Sequence, residues 1–234
     1  MQVEVSAMDA PLTEPSKASS FFSLRWRMWK ERWNNILSYY HNLRFACADL
    51  ALCCISLFDN PYRRTRRYFE RQKRIPVPYG ETPLNTLCEA AQQAGWHSGE
   101  TIAELGCGMG RTSFWMAVHL RAHVVAIDCQ AKLIKRAQWI AMLLRIRRVH
   151  FRCGDLRLTD LSACSAAYFY STGFPDALLK RIMPTLLTLP KGARLITVSQ
   201  AVTDWEPTAP FRVEKSWQGQ FLWGEATLYL QVKV

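Results

Sequence analysis

The spacing of hydrophobic positions changes character along the chain. In FFSLRWRMWKERWNNILSYYHNLRF, from Phe21, apolar residues Phe22, Trp26, Trp29, Trp33, Ile36, Tyr40 and Leu43 recur at three- and four-residue steps. That spacing predicts one face of an α-helix. Arg25, Arg27, Lys30 and Arg32 fall mostly off the stripe. Such a stripe either packs on the rest of the protein or lies in a bilayer interface. LRFACADLALCCISLF predicts a second, apolar helix of about 14 residues containing Asp49. It is too short to cross a ~30 Å hydrocarbon layer, which needs about 20 residues. NPYRRTRRYFERQKR then puts seven basic residues within 63–74. That run suits anionic lipid, RNA phosphates or a solvated helix face. Three prolines and a glycine in IPVPYGETPL end the pattern and mark a domain boundary.

Beyond the boundary, short strand-like runs alternate with helical ones. Strands are predicted at 101–105, 123–128, 149–153, 166–171, 193–199 and 225–234, with helices at 84–95, 111–121, 130–145 and 175–187. FRVEKSW followed by GEATLYLQVKV predicts an antiparallel hairpin at the end. The fold class expected is α/β, a doubly wound, mostly parallel seven-stranded sheet with an N-terminal α-helical extension. The division expected is a disordered tail at 1–20, a basic, aromatic-rich helical extension at 21–74, and one domain at 75–234. The acids, prolines and serines of the first twenty residues lack the order of a secretory signal.

Composition adds a charge argument. The chain has 234 residues, 49% hydrophobic, with 30 Lys and Arg against 19 Asp and Glu. Residues 1–74 carry 13 of the basic and 7 of the acidic groups, so the shorter segment is the denser source of positive field. Eight cysteines, at 47, 53, 54, 88, 107, 129, 153 and 164, form no CxxC and no zinc-ligand spacing. They read as mostly buried thiols of a reducing, cytoplasmic setting, with the extension as a peripheral membrane contact.

The chemistry concentrates in AELGCGMGR. Gly106, Gly108 and Gly110 clear side chains from alternate positions between a strand and a helix, where backbone must approach a ligand. A dinucleotide fingerprint would need a glycine where Arg111 stands. Glu104 beside the turn favours a cationic guest, such as a sulfonium or ammonium. Asp128 closes the second strand, 22 positions after Gly106, where a carboxylate meets ribose hydroxyls. Asp155, at the third strand end, is placed to accept from an exocyclic amine.

Together these residues resemble the class I S-adenosylmethionine-dependent methyltransferases: AELGCGMG is similar to their first motif, VVAID to the second, and CGD to the adenine-side motif. The resemblance covers about residues 79–234 and implies a Rossmann-like methyltransferase fold with S-adenosyl-L-methionine as cofactor. It implies that Glu104 and the turn, Cys107 included, hold the methionine end. Asp128, with Cys129 beside it, would hold the ribose, and Asp155 with Leu156 would flank the adenine. PYGETPL also resembles a cofactor-covering segment of small, membrane-associated protein-lysine methyltransferases, which nominates Tyr79, Glu81 and Thr82 as lid residues.

On the acceptor side, YFYSTGFP stands where base- and amide-nitrogen methyltransferases carry D/N-P-P-Y. Tyr170 and Ser171 are the catalytic candidates, and Thr172 adds a hydroxyl. Asp204, Trp205, Trp223 and Glu225 are expected near the same edge, with Ser199 and Gln200. The acceptor itself is unspecified, with a protein lysine near a membrane favoured and an anionic membrane surface as partner of 21–74. RNA is the weaker partner, and the alternatives are a non-catalytic binding module on the same fold and an RNA methyltransferase. No metal is expected.

Overall fold

The alternating apolar runs become β1 (Thr101–Leu105), β2 (His123–Asp128), β3 (Val149–Cys153), β4 (Ala166–Phe169), β5 (Arg194–Val198), β6 (Phe211–Phe221) and β7 (Gly224–Lys233). A computed structural model describes residues 17–72 and 77–234. Among them the strands form one sheet in the order β3-β2-β1-β4-β5-β7-β6. The first five pair in parallel and β7 runs antiparallel to both neighbours. Central strands are buried on both faces, as parallel strands covered by helices must be. Register sets Leu105 beside Ile127 and Phe169, and Asp128 beside Cys153, so β1 to β4 end at one edge.

The helices are α1 (Lys17–Tyr39), α2 (Leu43–Phe58), α3 (Pro61–Arg71), α4 (Leu84–Gln93), α5 (Arg111–Val118), α6 (Ala131–Leu143), α7 (Asp176–Leu186) and the single turn α8 (Val202–Trp205). One core carries residues of α4, α5 and α6, and a second carries residues of α7 and α8. The stretch from Phe21 to Phe45 is not one helix. Asn42 caps α2, its side chain accepting from Arg44 and Phe45 N–H groups, so the chain turns after Tyr39. Asn60 caps α3 likewise, with Pro61 at its first turn.

Several expectations shift. Helix α1 begins at Lys17, inside the expected tail; the rest of that tail, 1–16, and the boundary between 74 and 75 lie outside the described residues. β4 stops at Phe169, which leaves Tyr170 and Ser171 beyond the strand. The thiols are less buried than expected: Cys47, Cys54 and Cys153 are exposed.

The extension is built into the domain. Phe45, Ala48 and Leu52 of α2 share a core with Trp115 and Met116 of α5. Asp49, 1% exposed, pairs with Arg111 at 2.7 Å. Tyr39 donates its hydroxyl proton to Asn85 of α4. Helix α1 is nevertheless turned opposite to the usual sense: Asn35 and Tyr39 face inward, while Trp26, Trp29 and Trp33 are 65%, 60% and 52% exposed. Those three indoles stack in sequence, centroids 6.0 and 5.8 Å apart.

Candidate functional site

The glycine turn joins β1 to α5 and is stitched to β2. The N–H groups of Gly106 and Cys107 both donate to the Ile127 carbonyl, at 2.8 and 2.9 Å. Asp128 then accepts from Gly108 N–H (3.0 Å) through one carboxylate oxygen and from Gln130 N–H (2.8 Å) through the other. Burial pushes its pKa up, and the two backbone donors oppose that. Gly110 sits at φ 84, and a Cβ there would meet the Phe151 ring at 2.4 Å. The close helix–strand packing that a dinucleotide fingerprint assigns to the Arg111 position is thus carried one residue earlier.

A cavity of about 450 Å³ opens at this edge. Of the expected cofactor residues, Tyr79, Gly106, Gly108, Asp128, Cys129, Asp155 and Leu156 line it. Glu81, Thr82, Glu104, Cys107 and Gly110 instead line a second, small cavity of about 20 Å³. Tyr79, Gly80, Gly106 and Tyr170 border both. A Cβ on Gly108 would lie 2.8 Å from the Tyr79 ring, so the aromatic ring lies directly on the turn. Its hydroxyl donates to Glu81 (2.8 Å), whose carboxylate reaches Arg111 at 3.3 Å. Thr82 and Tyr168 share a hydroxyl–hydroxyl bond of 2.6 Å beneath.

Glu104 is buried and accepts from the Thr112 and Ser113 hydroxyls. Its pKa is raised to about 7, chiefly by burial, with the hydroxyl bonds opposing the rise and Asp128 adding to it. Asp155 reaches the main cavity with Arg157 on its carboxylate (2.5 Å), a partner unforeseen from sequence.

On the acceptor side Tyr170 borders both cavities, and its oxygen accepts from Trp223 Nε1 at 2.8 Å. Burial raises the phenol pKa. Trp223 stacks on Phe221 at 5.5 Å and is half exposed. Ser171 is not at the site. It is buried, lines neither cavity, and gives its hydroxyl proton to the Val198 carbonyl (2.6 Å), because the chain leaving β4 turns this side chain toward β5. Thr172 bonds Ser199. Asp204 caps its own helix, Trp205 is core, and Glu225 pairs with Gln220.

Sequence reasoning missed Thr65 and Phe69 of α3 and Gln130, all in the main cavity wall. A signal was present: Pro61, Thr65 and Phe69 recur every fourth residue opposite the arginines. Among the described residues no cluster of His, Cys, Asp and Glu is placed to hold a metal ion.

Residues 96–168 match a family described as a methyltransferase domain. Solved structures of the same fold include an RNA methyltransferase from Salinibacter ruber in complex with S-adenosyl-L-homocysteine. It is 21% identical with a TM-score of 0.55, over 65% of this chain and 93% of that one. Geranyl diphosphate C-methyltransferase from Streptomyces coelicolor A3(2), also bound to S-adenosyl-L-homocysteine, is 14% identical with a TM-score of 0.54, over 65% and 78%. MtNAS in complex with MTA and tNA is 16% identical with a TM-score of 0.56, over 84% and 73%. No curated protein matches the chain. At these identities the structural likeness is one of fold.

Proposed function

We infer that this chain, whose centre is a methyltransferase domain on the class I fold, is an S-adenosylmethionine-dependent methyltransferase. One observation carries the reading. The Asp128 carboxylate, held by N–H groups of the glycine turn and of the α6 start, borders a cavity large enough for an adenosyl group. The residues present fit that cofactor: a Cβ on Gly106 would meet nothing within 4 Å, so backbone is open to a ligand there. Asp128 would accept from ribose hydroxyls, and Asp155 and Leu156 would flank the adenine. Glu104 would offer negative charge to the methionine end. When bound, S-adenosylmethionine supplies a sulfonium methyl for in-line displacement.

The chain's own task is alignment and exclusion of water. Tyr79 covers the turn, and Gly80 lies against the Tyr170 ring. Tyr170, with its pKa raised, keeps its proton at neutral pH and orients an acceptor rather than deprotonating it. The rings of Tyr170, Phe221 and Trp223 favour an alkylammonium approaching before it loses its proton to solvent. Titrating the full chain with S-adenosylhomocysteine tests the cofactor: binding lost in Asp128→Ala supports it, and no heat at millimolar ligand overturns it.

The acceptor proposed is a protein lysine close to a membrane. The outward tryptophans of α1 support this, as does an exposed, uncharged face of α2 formed by Leu43, Cys47, Leu50, Cys54, Leu57 and Phe58. The exposed arginines of α3 add charge complementary to anionic lipid. None of the described helices is long and apolar enough to cross a membrane, so the face would lie on one. Vesicles containing phosphatidylglycerol should float the full chain, and Trp26→Ser, Trp29→Ser and Trp33→Ser together should leave it at the bottom. Failure of the unaltered full chain to float removes the membrane reading. Labelled-methyl transfer into a lysate, fractionated into protein, lipid and RNA, tests the acceptor; label in RNA favours the reading suggested by the S. ruber enzyme's name.

A further inference from the structure

Helix α3 has two unlike faces. Arg63, Arg66, Arg67, Glu70 and Arg71 are exposed on one. Pro61 and Thr65 are buried and Phe69 is half-buried on the other, one helical turn apart in succession. The inner face meets the same cavity that holds Asp128, with Thr65 and Phe69 in its wall. Thr65 Oγ1 accepts from Gln130 Nε2 at 2.9 Å, and Gln130 donates its own N–H to Asp128 at 2.8 Å. Tyr68 donates to the Cys129 carbonyl at 3.4 Å, one residue past Asp128. At the α2–α3 junction, Asp59 pairs with Arg136 of α6 at 2.6 Å and with Arg64. The helix is therefore held to α6 at its start and to the loop after β2 toward its end.

We propose that α3 completes the adenosyl pocket: Phe69 is a binding residue in its wall, and Thr65 is a positioning residue that sets the ribose carboxylate through Gln130. This rests on the cofactor reading above and adds to it that the basic extension is part of the cofactor site. A hydroxyl acceptor lost at Thr65 leaves the Gln130 amide without a buried partner, which lets the residue that orients Asp128 move. An aromatic ring lost at Phe69 removes apolar contact from one side of the bound nucleoside.

Calorimetric titration of the full chain with S-adenosylhomocysteine and with 5′-methylthioadenosine, which lacks the amino-acid part, tests this. Phe69→Ala should weaken both ligands by tenfold or more and to the same degree, and Thr65→Val by several-fold. Phe69→Leu, which keeps the packing volume, should recover part of the loss, and Glu70→Gln on the outer face should bind as the unaltered chain does. In turnover, Phe69→Ala should raise KM for the cofactor and leave kcat at saturation unchanged. Affinities for both nucleosides unaltered in Phe69→Ala and Thr65→Val would overturn the proposal while leaving the cofactor reading intact. Absence of binding by the unaltered chain would instead overturn the cofactor reading, and this proposal with it.

Discussion

Glu104 and Gly110 show how much a single position decides. With its pKa raised to about 7 from 4.5, Glu104 keeps its proton in the fold where the unfolded chain has lost it. Its contribution to stability is thus full below about pH 4.5 and fades as pH rises through 7. A cationic ligand favours the ionised carboxylate, so binding should expel a proton near neutral pH. Affinity for S-adenosylmethionine, whose sulfonium carries the positive charge, should then climb several-fold between about pH 6 and 8. Calorimetry in two buffers of different ionisation enthalpy measures the released proton, and Glu104→Gln should abolish the dependence. Gly110 combines a left-handed φ with a Cβ position 2.4 Å from Phe151. Gly110→Ala should cost about 2 to 5 kcal/mol in denaturant unfolding, from backbone strain plus overpacking. The three glycines and the acids were legible in sequence because each is a local requirement of a strand-to-helix turn. The hydroxyls on Glu104 and the guanidinium on Asp155 lie only two to nine positions away, yet charge and residue type alone did not assign them.

Between elements, the decisive contact is a chain of polar groups. Tyr40 donates to Asp49, Asp49 pairs with Arg111, Arg111 reaches Glu81, and Glu81 accepts from Tyr79 over Gly108. It ties α2, the α5 start and the covering segment into one unit. Arg111 stands where a dinucleotide fingerprint has glycine, and its use there is to hold a buried carboxylate. Arg111→Met should leave the buried Asp49 without its cationic partner, at a cost of about 3 to 5 kcal/mol. Asp49→Asn combined with Arg111→Met should cost less than the sum of the two single changes, measured by a double-mutant cycle. A linear sequence does not reveal this pairing, since 62 positions separate the two residues and many other charges compete. The direction in which α1 turns was also beyond it. A stripe of tryptophans has the same spacing whether it faces a core or solvent, and only the inward placement of Asn35 and Tyr39 settles which.

Across the whole molecule, the second helix of the extension shares the domain's core. Phe45 and Leu52 are fully buried against α5-side residues, worth roughly 3 to 6 kcal/mol together by area removed from water. A chain beginning at Pro76 should therefore melt at least 10 °C lower than the full chain or aggregate; an unchanged melting midpoint would show that the domain stands alone. The residues by themselves determined the alternation of strand and helix, the parallel sheet with its closing hairpin, the glycine turn, and the order of Glu104, Asp128 and Asp155 along one edge. Those features follow from periodicity and local backbone demands, which act within a few residues. Only the tertiary structure decided that α3 walls the cavity, that Ser171 serves the sheet, and that the tryptophans face outward. Each of these depends on which distant surface a side chain meets, and that is set by packing the whole chain at once.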